Sequence, residues 1–529
     1  MNSQRLMHQQ NNAWRLCFVT LLVIGLVLGL APVNVVQAAT ITVTNTNDSG
    51  AGSLRQAITS AAAGDTIVFD SSLSGKTITL TSTQLTINKR LTINGLGAGN
   101  LRISGNNARR VFNIGSSGIV TISDLTVANG RVNNLRGGGI NNAGSFTLNN
   151  CTITQNQIGG NLLGVLMFGG SGIYNSGTMT VTNSTISDNK DAANSAGGGG
   201  IFNDGTLNLT NSTVRNNQVQ TIAALGQFGG AGIANRGTAT ITSSTISSNK
   251  AIGYSNGGGG GIYNNGGMTI SNSTVQGNNS NSEAKGAWGG FGGGILNWQA
   301  GNLSIQNSTL AGNTADRDGG GLENLGTLTI VNSTIKQNLA NGKRPISGSG
   351  QIGTGGGGID NATGTLTLQN STISGNTSNL YGGGLINHEG TLSATFVTVS
   401  NNSASTIGGG IYITGTVTDT LSSLTNTIIA NSMGQDCVNE SSSITLAGTL
   451  IEDNTCSPTL SGDPNLGPLQ NNGGATETHA LLSGSLAIDQ ILSGVNGCGT
   501  TFTTDQRGVI RPTDNGCDLG AYEVSTAQP

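Results

Sequence analysis

Two acidic residues in this 529-residue chain stand where a carboxyl pair could trade a proton. Glu323 lies in Gly-Gly-Leu-Glu-Asn and Asp360 in Gly-Gly-Ile-Asp-Asn, and His388 ends a third such segment, Gly-Gly-Leu-Ile-Asn-His. Two carboxyls held side by side with unequal pKa values can serve as general acid and general base. On a solvated face the same residues are only charges, so Glu323, Asp360 and His388 are catalytic candidates with a plain alternative. The equivalent position elsewhere is aromatic, at Tyr174, Phe202 and Tyr263. Flat rings spaced along a rigid sheet suit stacking against sugar faces. They also suit stacking on one another, at about 0.5–1.5 kcal/mol per pair. These three are the candidate ligand-binding residues.

The cysteines offer a different chemistry. Cys437 and Cys456 are 19 residues apart, as are Cys498 and Cys517. Four cysteines allow three connectivities, of which two local disulfides are the simplest. No Cys-x-x-Cys pair or neighbouring histidine supports a zinc site, and the expectation is no metal and no cofactor. Cys151 replaces the serine of a recurring Asn-Ser-Thr and is expected to be a buried free thiol.

What positions these residues is a repeat. GGGIYNNGGMTISNSTVQGN, residues 259–278, has ten copies between Ile140 and Asn431 with a period of about 30. Each copy opens on Gly-Gly-(Ile/Leu), passes through an alternating segment such as Met268-Thr269-Ile270, and closes on an asparagine. The closing residues are Asn156, Asn189, Asn217, Asn249, Asn278, Asn313, Asn338, Asn376, Asn402 and Asn431. From opening residue to closing Asn the interval is 16 in six copies and 17, 18 or 20 in the others, while the connector to the next copy varies from 9 to 21. A fixed core with a variable connector is what stacked coils with loops on one face require.

Period-two alternation buries one side of each short strand. Strands of three to five residues find their best partner one repeat away, so they lie parallel and in register at about 4.8 Å per coil. The fold expected is all-β, a right-handed parallel β-helix or solenoid, with three short strands per coil. Register turns each column into a stack. Ile153, Ile186, Val214, Ile246, Val275, Leu310, Ile335, Ile373, Val399 and Ile428 form an aliphatic ladder. The closing asparagines form an amide ladder at a turn, tolerating a left-handed backbone there. The column holding Glu323 faces outward and reads Asn141, Tyr174, Phe202, Ala234, Tyr263, Leu296, Glu323, Asp360, Ile386 and Tyr412. This puts Glu323 and Asp360 on successive coils about 5 Å apart, with His388 on the next.

Taken from its start, the chain has Arg5 and Arg15 before an apolar run at 16–30 and small residues by Ala38, which is the pattern of a secretory signal peptide over residues 1–38. The run falls short of the roughly 20 residues a spanning helix needs, and no second apolar run follows, so no membrane span is expected in the mature chain. Residues 39–130 carry early, irregular coils and one helix, with Ser53 as N-cap, Gln56 completing a capping box and Gly64 as its stop. That helix covers the open end of the first coil. Residues 131–431 are the repeats, and 432–529 a disulfide-bearing C-terminal cap. Charged residues make up 9%, the net charge is −3 and no basic run occurs, which excludes strong nucleic-acid binding. A monomer is expected.

Gly52-Ser53-Leu54-Arg55-Gln56-Ala57-Ile58 followed by Gly64-Asp65-Thr66-Ile67 resembles the N-terminal domain of bacterial surface proteins named for a Cys-Ser-Leu-Arg-Glu-Ala (CSLREA) signature, with Gly52 at the Cys position and Gln56 at the Glu position. The repeats are similar to pectin-lyase-like β-helices and to the short repeats of chlamydial polymorphic outer-membrane proteins. Asp463-Pro464-Asn465-Leu466-Gly467-Pro468-Leu469, Thr478-His479-Ala480-Leu481-Leu482, Asp505-Gln506-Arg507-Gly508 and Cys517-Asp518-Leu519-Gly520-Ala521-Tyr522-Glu523 resemble the choice-of-anchor Q domain. That family usually adds a sorting or membrane tail. The six residues after Glu523 hold no apolar run, which leaves release or capture by a partner open. The superfamily includes polysaccharide lyases and hydrolases, which need clustered Asp with His, Arg or Lys, or several acidic calcium ligands beside a base. The repeats offer few of these. The expectation is a secreted or cell-surface protein for binding, adhesion or display toward a polysaccharide or an extracellular protein. The alternatives are a carbohydrate-active lyase or glycoside hydrolase, and a purely structural envelope protein.

Overall fold

The computed structural model describes residues 38–525 apart from 161–168, 193–196, 222–228, 254–257, 283–288, 343–354, 416–420 and 442. The leader, including Cys17, and much of the connectors at 157–169 and 339–356 lie outside the described residues.

Alternating residues build an all-β parallel solenoid of about 13 turns. Three-residue strands such as Ile262–Asn264, which follow the glycine runs, stack into a 13-stranded sheet. Five-residue strands such as Gly267–Ser271 and three-residue strands such as Thr274–Gln276 share a 27-stranded sheet. They merge into single strands at Thr365–Ser374 and Thr391–Ser400. Two- to four-residue strands after the closing Asn, such as Lys250–Gly253, make a third sheet of ten. The expectation of three strands per coil thus undercounts by one short strand. Register is one-to-one: Met268 pairs with Ala239 and Leu303, and Ile270 with Ile241 and Ile305. Their side chains are buried, while Thr269 between them is exposed.

Three polar stacks run through the interior. From Asn156 to Asn402, each closing amide donates Nδ2–H to Oδ1 of the next at 2.9–3.0 Å. Each also donates to a backbone carbonyl of a preceding coil, as Asn278 does to Ile246. A second asparagine stack, from Asn142 to Asn387, uses the same bond at 2.6–2.8 Å. The serines of Asn-Ser-Thr form the third. Each hydroxyl accepts from the backbone N–H of its counterpart one coil earlier, beginning with Cys151 N–H on Ser184. Buried polar groups persist only when bonded, and here repetition supplies every partner.

The stacks correct the sequence expectations at three points. The left-handed residue is the one before the closing asparagine, for example Ser248 at φ 54° and Gln337 at φ 54°, because the closing side chain must point inward. In the last repeat the frame moves by one: Val399 pairs with Ile429, so Ile429 takes the core position expected of Ile428. Asn431 accordingly turns outward at φ 57° and is exposed.

Helix α1 (Leu54–Ser60) buries Leu54, Ala57 and Ile58 against the first coils. Ser53 accepts from Gln56 N–H at 3.2 Å, but its own N–H bonds Gly50 O, so the capping box is one-sided. The helix ends at Ala61, short of Gly64. Arg55 fixes the entry by pairing with Asp48 at 2.6 Å and bonding Gln84 O at 3.0 Å.

Disulfides join Cys437 to Cys456 and Cys498 to Cys517. The C-terminal segment closes the last coil and also doubles back along the side of the solenoid. Gln506 donates to Thr334 and Thr476 hydroxyls and accepts from Thr372, while Asn370 bonds Thr504 O. Phe396 and Ile428 are buried beneath it.

Candidate functional site

The aromatic column points away from the solenoid core, yet it is not open. Tyr174, Phe202 and Tyr263 are 5%, 1% and 7% exposed, and with Ala234 and Leu296 they form a separate outer cluster packed by Phe291, Trp298 and Leu325. The rings of Tyr174 and Phe202 stack 5.8 Å apart with planes 16° from parallel. Arg136 lies over the other side of Tyr174, 4.9 Å from its centroid. The Tyr174 hydroxyl accepts from Arg136 and donates to Asp204 at 2.9 Å. Burial pushes the Tyr263 hydroxyl up to about 12. The outward column is therefore a second, buried core.

Glu323 and Asp360 pair across adjacent strands of that column, 6% and 1% exposed. Arg317 and Asp318, also buried, stand beside them, the Arg317 Nε 3.0 Å from the Asp318 carboxylate. Burial drives the Glu323 carboxyl well above the usual range; Asp360 and Asp318 add to this and Arg317 works against it. Burial thus favours the protonated form of Glu323, the form a general acid needs, but at this exposure it meets no substrate. His388 does not join the pair. The next residue in the column is Ile386, and His388 lies two further along the strand, half-buried.

A concave surface occurs elsewhere, along the corner where left-handed residues precede the closing asparagines. One hollow of about 370 Å³ is lined by Ser247, Ser248, Gln276, Gly277, Ala311, Gly312 and Gln337. A second, of about 470 Å³, begins at the same Gln337 and continues past Gly375, Asn401 and Asn431. Its far wall is the Leu466–Leu469 stretch of the C-terminal segment. The floor spans seven consecutive coils, about 29 Å at roughly 4.8 Å per coil. Glycine at 277, 312 and 375 keeps it low: a Cβ at Gly312 would meet nothing within 4 Å. Among the lining residues no Asp, Glu, Lys or Arg appears, and the titratable one is His479. His479 Nδ1–H donates to Gly467 O at 2.7 Å, its Nε2 lies 2.9 Å from the Ser374 hydroxyl, and burial lowers its pKa. The lining therefore offers amides, hydroxyls and carbonyls, and the charged side chains bordering it include the Lys336–Glu477 pair and Glu452, which accepts from Asn431 N–H. Sequence reading passed over Gln276 and Gln337, although the small and amide residues before each closing Asn were a visible column.

By sequence, no protein family and no curated protein matches the chain. Among solved structures it is similar to pectate lyase Pel9A, at 13% identity over 93% of this chain and 97% of that one, with a TM-score of 0.35. It is likewise similar to the A-module of the Azotobacter vinelandii mannuronan C-5 epimerase AlgE6, at 13% identity over 79% and 97%, with a TM-score of 0.37. Likenesses of this strength say nothing about the chemistry of this chain.

Proposed function

We propose that this chain is an exported β-helix that binds a neutral polysaccharide outside the cell, laid along the corner groove. The observation that carries the reading is the polar groove from Ser248 to Asn431, two hollows that share Gln337 and are lined by side chains without formal charge. Solenoids bind along such extended faces, and hydroxyl-rich chains are recognised by amide and hydroxyl groups of this kind. Two disulfides fit an oxidising compartment, in keeping with the signal-peptide pattern at residues 1–38. Within this reading the CSLREA-like and choice-of-anchor Q-like segments serve as the ends of a surface protein.

The test is retention of the purified chain on a panel of neutral polysaccharides and polyuronates, with soluble products measured in the same incubations. Neutral chains should retain it, and Gln276→Ala with Gln337→Ala should release it while the melting temperature stays put. Retention on polyuronates alone, or no effect of the double variant, overturns the proposal. Release of soluble fragments that is lost in Glu323→Gln would favour the lyase or hydrolase alternative instead.

A further inference from the structure

The broad face of the 27-stranded sheet carries a pattern that the groove does not use. Eight consecutive strands, from Thr178–Thr182 through Thr206–Thr210, Thr238–Thr242, Gly267–Ser271, Asn302–Gln306 and Thr327–Val331 to the first halves of Thr365–Ser374 and Thr391–Ser400, each turn three residues outward. Of those 24 positions 15 are Thr, the others are Ser, Asn, Gln, one Gly and one Val, and none is charged or aromatic. Pairing runs without a register slip through all eight. Threonine fills eight of the nine outward positions of the first three strands, spaced about 4.8 Å between strands and about 6.6 Å along them; Gly267–Ser271 and Asn302–Gln306 then hold one, Thr269, and the last three strands six. β-Branching restricts χ1 of these side chains, and the unbroken register fixes their spacing. The C-terminal segment packs on the neighbouring row at Thr334 and Thr372, and leaves Thr327, Thr365 and Thr391 exposed.

We propose that this face binds ice. A rigid grid of paired hydroxyl and methyl groups can order water into a lattice continuous with a crystal, whereas charges would bind water too strongly and in the wrong orientations. Other occupants fit poorly. A nucleic acid needs cations and a second copy of the chain needs an apolar patch; the 24 positions supply neither.

The experiment grows ice slowly in a solution of the purified chain and measures its partition between ice and liquid, together with thermal hysteresis. Wild type should enter the ice and depress the freezing point below the melting point. Thr180→Lys with Thr240→Lys should abolish both effects with an unchanged far-ultraviolet circular dichroism spectrum. The groove variant Gln276→Ala with Gln337→Ala should retain both, which separates this inference from polysaccharide binding. Exclusion of the wild type from ice, or equal incorporation of the lysine variant, overturns it.

Discussion

Asn272 and Asn278 lie six residues apart in one repeat, and glycine in place of each should have opposite outcomes. Asn272 is exposed at φ 48°, where glycine fits as readily, so Asn272→Gly should leave the urea midpoint within error. The buried Asn278 side chain makes four hydrogen bonds, to the amides above and below, to Asn249 N–H and to Ile246 O. Removing it strands several buried groups at about 1–3 kcal/mol each, so Asn278→Gly should lose several kcal/mol or fail to fold. Cys151 is 2% exposed, and burial pushes its thiol up to about 11. It should resist alkylation in the native protein at pH 7.5 and react fully in urea; labelling of the native chain, read by mass spectrometry, would contradict its place at the head of the serine stack. At this scale most of the interior was legible, because Ile246 or Asn278 recurs with its neighbours in one column. The frame change at Ile429 was not, since Ile428 and Ile429 are chemically alike and only pairing distinguishes them.

Among the elements, the C-terminal segment was least legible: its packing along the solenoid has no period to read. Phe396 shows how tightly it sits. This residue holds φ 53° at a position where other coils use Asn, Ser or Asp, its ring beneath Arg511 at 4.1 Å and edge-on to Phe502 at 5.3 Å. Burial there raises Glu523 to about 7, against the pull of Arg511, and Asp518 and Asp436 to about 6; it also drives Glu323, in the outer column, well up. In the unfolded chain such carboxyls titrate near 4. The folded protein thus holds extra protons above that pH, and their stabilising contribution is lost as pH rises through about 6 to 7. His479, its pKa lowered by burial, opposes this below about 6.5, one group against four. The urea midpoint should therefore be higher at pH 5.5 than at pH 8, and Glu523→Gln should flatten the difference. A midpoint that climbs with pH would show these carboxyls ionised in the native state.

For the whole molecule, ending the chain after Asn431 would uncover Phe396, Ile428 and the edge of the final coil. Bare edges pair with other chains, so the truncated protein should self-associate, as light scattering would report, while the full chain should not. The candidate surfaces follow the same divide between periodic and aperiodic sequence. The threonine face is written in the repeat, whereas the groove needs a wall from outside it, and the burial of Tyr174 and Phe202 depends on packing partners such as Trp298 that no period announces. The two asparagine stacks also give the solenoid a direction. In every step from Asn156 to Asn402, and from Asn142 to Asn387, the amide N–H points to the following coil. The core thus holds two rows of aligned dipoles with their positive ends toward the C-terminus. A copied coil inserted in the same sense extends both rows, while a reversed one would set N–H against N–H in a place water cannot reach. Such a protein can lengthen by duplication in tandem, and inversion is closed to it.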